Sequence, residues 1–149
     1  MALFTHILVP TDFSECSERA LDTAIELART FDARLTLLHA WTVPTFGYAE
    51  ELAWPVVDLE NAARRSLDDA LRRCIGRHAQ MDAILQNGME YERILETIAS
   101  RKIDLVVMGT HGRQGITRVV LGSVAEKIVR LSPVPVLTVG SSAKIGARP

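Results

Sequence analysis

The sequence predicts an α/β protein in which a parallel β-sheet carries helices on both faces. Three observations lead there. Strand-type and helix-type patterns alternate along the whole chain and close on a final strand, the order expected of repeated βα units. The run Leu105 to Met108 is apolar at every position, as in a strand covered on both sides. The chain has 149 residues, 48% of them hydrophobic, enough for one domain to bury a core without disulfide or metal staples.

The first strand is FTHILVP, residues 4–10, an apolar run stopped by Pro10-Thr11-Asp12. A helix follows, with Ala20, Leu21, Ala24, Leu27, Ala28 and Phe31 at helical spacing. Ser14 is its expected N-cap, and Glu15 places a carboxylate at the positive end of the helix. The second strand is RLTLLHA, residues 34–40. Residues 41–57 read as an irregular connection holding Trp41, Trp54, Pro44 and Pro55, long enough to expect a functional role or mobility. The second helix spans about 58–77, with Leu59, Ala63, Leu67, Ala70, Leu71 and Cys74 on one face. The third strand is MDAILQ, residues 81–86, closed by Asn87-Gly88. The third helix covers about 90–101 with Ile94, Leu95 and Ile98 inward. The fourth strand is DLVVMG, residues 104–109. The fourth helix starts near Ser123 and stops before Pro133, and the fifth strand is PVLTVG, residues 135–140. One domain is expected over residues 1–140, with residues 141–149 as a flexible tail.

Composition narrows the function classes. Seventeen basic and eighteen acidic residues give a net charge of −1, which argues against a broad electrostatic grip on nucleic acid. The N-terminus lacks the pattern of a signal peptide, and no apolar run approaches the length of a membrane span, so a cytoplasmic protein is expected. Cys16 and Cys74 fit no zinc or redox spacing and read as reduced packing thiols. No His/Cys/Glu cluster has metal-ligand spacing.

One stretch stands apart. Val106 to Lys127 reads VVMGTHGRQGITRVVLGSVAEK and holds Gly109, Gly112, Gly115 and Gly122, the last directly before Ser123 at a helix start. Glycine permits unusual turns, and it also lets a ligand approach the backbone. A helix start offers free N–H groups and the positive dipole end to an anion. Together these features suit a phosphate cradle, and turn-forming glycines are the plainer alternative. The P-loop pattern GxxxxGK[ST] is absent, as is the dinucleotide pattern GxGxxG after the first strand. In open parallel sheets ligands sit beyond the carboxyl ends of the strands, at the point where strand order reverses. The loops after the first and fourth strands are therefore the places to look.

Gly109, Gly112, Gly122 and Ser123 match the spacing G-x2-G-x9-G-[ST], which resembles the ATP-binding motif of the universal stress protein family. HILVPTDFSECSERALDTAIELA, LTLLHA, DLVVMGTHGRQG and LGSVAEKIVRLSPVPVLTV are similar to further family segments in the same order; residues 41–77 are not. The resemblance implies a three-layer, Rossmann-like fold of the adenine nucleotide alpha hydrolase type, with strand order 3-2-1-4-5. It implies an ATP site in which Pro10, Thr11 and Asp12 lie near the nucleoside. Ala40 meets adenine through its backbone, Met108 and Gly109 line the base and ribose, and Gly112, Gly122, Ser123 and Val124 meet the phosphates. Mg²⁺ would arrive with the nucleotide, held by phosphate oxygens. The resemblance further implies a two-fold dimer through the C-terminal edge strand.

Several side chains admit two readings. Asp12 is either a ribose or metal ligand or a turn residue ahead of the first helix. Arg113 and Arg118 either neutralise phosphate or are solvated. His111 and His39 read as loop and core-edge histidines, and His6 and His78 offer no constellation. The leading expectation is an ATP-dependent regulatory module of the stress-response type. The alternatives are a slow ATP hydrolase or adenylyl-transfer enzyme, and a nucleotide-independent interaction module.

Overall fold

The computed structural model describes residues 2–43, 53–111 and 121–142, the side chains of 53–55 excepted. The elements run β1 (His6–Pro10), α1 (Glu15–Phe31), β2 (Arg34–Trp41), α2 (Ala53–Cys74), β3 (Met81–Asn87), α3 (Glu90–Ser100), β4 (Leu105–Gly109), α4 (Ser123–Leu131) and β5 (Val136–Val139). The strands form one parallel sheet in the order β3-β2-β1-β4-β5.

Period-two alternation along the strands builds the layers. Ile7, Val9, Leu35, Leu37, Leu105 and Val107 point to one face, where Leu21, Ile25 and Ala28 of α1 and Leu67 and Ala70 of α2 cover them. Leu8, Leu38, Val106 and Met108 point to the other, against Ile94 and Ile98 of α3 and Ala125 and Ile128 of α4. Ile25 is fully buried, a gain of about 1.5–3 kcal/mol over leaving it exposed. Ser14 caps α1 as its sequence position predicts, its hydroxyl accepting from Ser17 N, a contact worth about 1 kcal/mol.

The structure corrects three boundaries. Trp41 belongs to β2, paired with Asn87, and not to the connection that follows. Helix α2 begins at Ala53 although Pro55 lies within it. Proline is tolerated in a first helical turn, where an N–H has no intrahelical partner to lose. The same helix stops at Cys74, short of Arg77, whose N–H bonds back to the Cys74 carbonyl at 2.8 Å. Of the irregular connection, residues 44–52 lie outside the described residues, as does most of the expected tail (143–149).

At the amino end of the sheet His6 does have a constellation, contrary to expectation. Its Nε2 is 2.8 Å from Thr36 Oγ1 and its Nδ1 3.1 Å from the Arg101 carbonyl; Thr36 donates to Asp82, which also receives Arg101. Burial, then the charge of Arg34, lowers the His6 pKa from its ordinary 6.5. The unfolded chain therefore takes up this proton more readily, and His6 contributes stability that is complete above about pH 6.5 and lost as pH falls toward its folded value. Asp104 adds to the same trend further down. Burial works against ionisation there, but hydrogen bonds from Thr5 and His6 outweigh it and hold the carboxyl below its ordinary 3.8. A His6→Asn protein should lose less stability than the parent between pH 6.5 and 5 in urea titrations. Parallel curves for the two proteins would show that His6 does not set that slope.

Candidate nucleotide-binding site

Strand order β2-β1-β4 puts the loops after β1 and β4 side by side, and the cause of the cleft between them is local. Successive residues of a parallel strand turn their N–H and C=O groups to alternate neighbours. Thr11 N–H bonds to Leu38 in β2, and the His6 carbonyl accepts from Asp104 ahead of β4. Pro10 therefore turns toward β4, and it has no N–H to give. The β1–β4 register pairs Ile7 with Leu105 and Leu8 with Val106 and runs no further. Beyond Leu8 the two strands are no longer paired.

One wall of the cleft is the turn Pro10–Ser14. Thr11 is nearly buried, 8% exposed. Its N–H is fixed to Leu38 at 2.8 Å, and its carbonyl accepts from His39 Nδ1 at 2.8 Å. The Phe13 ring lies 4.5 Å from the His39 ring, centre to centre. Phe13 has φ 63°, a left-handed conformation that is costly for a bulky side chain and that this set of contacts holds in place. Asp12 Oδ1 accepts from Ser14 N at 3.0 Å and Ser17 Oγ at 2.7 Å. Asp12 thus has the turn role in full, and one carboxyl oxygen carries both bonds. Glu90, at the start of α3, feels the charge of Asp12. Burial of its carboxyl group and then the charge of Asp12 raise its pKa, although the residue as a whole is exposed.

The other wall is the end of β4 and the start of α4. The Cβ that Gly109 lacks would stand 2.9 Å from Cys16 Sγ and 3.0 and 3.1 Å from the Cys16 backbone C and O. Helix α1 therefore requires this glycine whether or not a ligand does. Gly122 N–H bonds to the Thr110 carbonyl at 2.6 Å, and a Cβ at 122 would meet that same oxygen at 3.0 Å. Its bareness closes the base of the loop. A larger residue there would press its Cβ on the Thr110 carbonyl backbone.

Gly122 is the N-cap of α4 and, having no side chain, supplies no acceptor to the first-turn amides. Ser123 is exposed at the first helical position, and Val124 packs against the core, leaving the turn's backbone outermost. Beside it Thr110 Oγ1 is 2.9 Å from His111 Nδ1, while His111 Nε2 is buried without a hydrogen-bond partner among the described residues. Such an orphan costs about 1–3 kcal/mol.

The fold thus brings to the carboxyl end of the sheet Pro10 at the end of β1 with Thr11 and Asp12 after it, Ala40 near the end of β2, Met108 and Gly109 at the end of β4, and Gly122, Ser123 and Val124 at the start of α4. Gly112 and Arg113 lie outside the described residues. Sequence reasoning missed Glu90 and the holding roles of Cys16 and His39. His39 was legible as a hydrogen-bonded core-edge residue, but its carbonyl partner was not.

A family model described as the universal stress protein family matches residues 3–140. The chain belongs to the universal stress protein family. A universal stress protein of Methanocaldococcus jannaschii is 31% identical over 140 residues, covering 92% of this chain and 82% of the relative. Among solved structures, the universal stress protein UspA from Lactobacillus plantarum superimposes with a TM-score of 0.83 at 25% identity, covering 93% of this chain and 99% of the other. A universal stress protein solved in complex with cAMP superimposes with a TM-score of 0.64, also at 25% identity, covering 93% of this chain and 98% of the other. The architecture is the Rossmann-like one of the family. Among the described residues, no helix is long and apolar enough to cross a membrane, and no group of three or more His, Cys, Asp or Glu could hold a metal ion.

Proposed function

We propose that this universal stress protein binds ATP, or another adenine nucleotide, and acts as a nucleotide-dependent regulatory module in a stress response. The observation that carries the reading is the cleft itself. A proline-split seam between β1 and β4 is flanked by a rigid turn carrying Asp12 and by a glycine-capped helix start. The relative solved with cAMP supports an adenine ligand. In this reading the Ala40 backbone meets the base and Pro10, Thr11, Asp12, Met108 and Gly109 surround the nucleoside. Gly112, Gly122, Ser123 and Val124 receive the phosphates, and Arg113 balances their charge. Mg²⁺ enters with the nucleotide on phosphate oxygens. Asp12 Oδ1 is engaged by Ser14 and Ser17 in the turn, so in this reading the site holds nucleotide and does not turn it over efficiently.

The working unit is a dimer. Strand β5 is a sheet edge, and Leu137 on it and Val129 and Leu131 on α4 are 40–49% exposed, an apolar margin suited to a second copy. Two free buried thiols suit a reducing compartment, the cytoplasm.

Titration calorimetry with ATP, AMP and cAMP, with and without Mg²⁺, should give one site per chain, and sedimentation should give twice the chain mass. Nucleotide at about 100 times Kd should add roughly 2.7 kcal/mol of stability. No heat at millimolar nucleotide would leave the interaction-module reading in its place. Phosphate release near about 10 s⁻¹, an ordinary enzyme rate, would make the protein a hydrolase.

A further inference from the structure

We propose that His111 is a direct ligand contact, its Nε2–H donating to a phosphate oxygen of the bound nucleotide. The inference rests on the nucleotide reading above and adds a residue to it. Cys16 donates its S–H to the Val139 carbonyl at 3.2 Å. Thr110 Oγ1 lies 2.9 Å from His111 Nδ1, close enough to donate its one hydroxyl hydrogen there. With Nδ1 accepting in this way, a neutral ring carries its proton on Nε2. Nε2 is buried and has no hydrogen-bond partner among the described residues.

Buried polar atoms are almost always satisfied, so this one calls for a partner that the described residues do not supply. Arg93 Nε is also unpartnered, but other nitrogens of that guanidinium meet Glu92 and Glu96. An imidazole has no such reserve. The position favours an anion. The His111 Cα lies 3.5 Å from where a Cβ on Gly122 would stand, so the histidine leaves the chain against the N-cap of α4. A phosphate oxygen can accept this hydrogen while the helix amides take its neighbours.

The test compares ATP with adenosine on the parent protein, His111→Leu and His111→Gln, by calorimetry and by ¹⁵N spectra of the histidine rings. In the parent, the Nε2 resonance of His111 should move on adding ATP, to that of the Nε2–H tautomer, and stay in place on adding adenosine. His111→Leu should bind ATP about tenfold more weakly and adenosine equally well. His111→Gln, which places an amide donor near the same point, should recover most of that loss. Equal weakening toward both ligands would mean that His111 only shapes the loop. An Nε2 resonance unmoved by ATP would also overturn the contact, and it is read on the parent protein even if a variant fails to fold. A parent protein that binds neither ligand would end the nucleotide reading itself and the contact with it, an outcome unlike the others because no variant is involved.

Discussion

A Gly109→Val protein is expected to lose roughly 3 kcal/mol of stability, through overpacking between β4 and α1. The new Cβ falls within 3.1 Å of three atoms of Cys16. One is a sulfur that can turn away; the other two are backbone of the first turn of α1. That turn cannot retreat cheaply, because Ser14 caps it and Ala20, Leu21 and Ala24 are buried against the sheet just beyond. Removing the sulfur should therefore not help: Cys16→Ala combined with Gly109→Val should remain close to Gly109→Val alone. Equilibrium urea unfolding measures both. A single variant within about 0.5 kcal/mol of the parent, the range of ordinary surface changes, would refute the close packing. Recovery in the double variant would place the clash on sulfur.

Gly122→Val should have a different profile, with a smaller effect on stability and a large one on affinity. Its Cβ meets the Thr110 carbonyl at 3.0 Å, the atom that receives the Gly122 N–H at 2.6 Å. The strain falls on the loop base, since Ala125 and Ile128 anchor the rest of α4 in the core. As the helix start swings from Thr110, its amides leave the position that the phosphates need. Losing two charge-assisted hydrogen bonds of about 1.5 kcal/mol each weakens ATP binding about a hundredfold. Calorimetry on the folded variant reads this directly, and an affinity equal to the parent's would remove the start of α4 from the phosphate site.

The two glycines show how far the sequence reached. Spacing marked both positions, and their neighbourhood was legible because apolar runs and helical periodicity fix which strand ends come together. Strand order followed from the family resemblance; periodicity alone left it open. The reason for each glycine was not legible, since Cys16 lies far from Gly109 along the chain and nothing in a glycine pattern says whether helix or ligand fills the missing Cβ. His6 failed for the same cause. Its partners Thr36, Asp82 and Arg101 come from three other segments, and only the register of β1, β2 and β3 assembles them. Ser14 succeeded because a helix cap is written within four residues. The start of α2 was missed because residues 53–57, with Pro55 among them, were read as part of the irregular connection, whereas that proline occupies a turn that tolerates it.

Pro10 has a further consequence. A cleft of this kind is an interrupted zip, and its depth is set by where two backbones cease to bond. Restoring an N–H at position 10 would let the fastening creep one notch further along the seam and narrow its mouth. A ring that donates nothing thereby acts as a spacer, and the width of the opening is a property of the main chain.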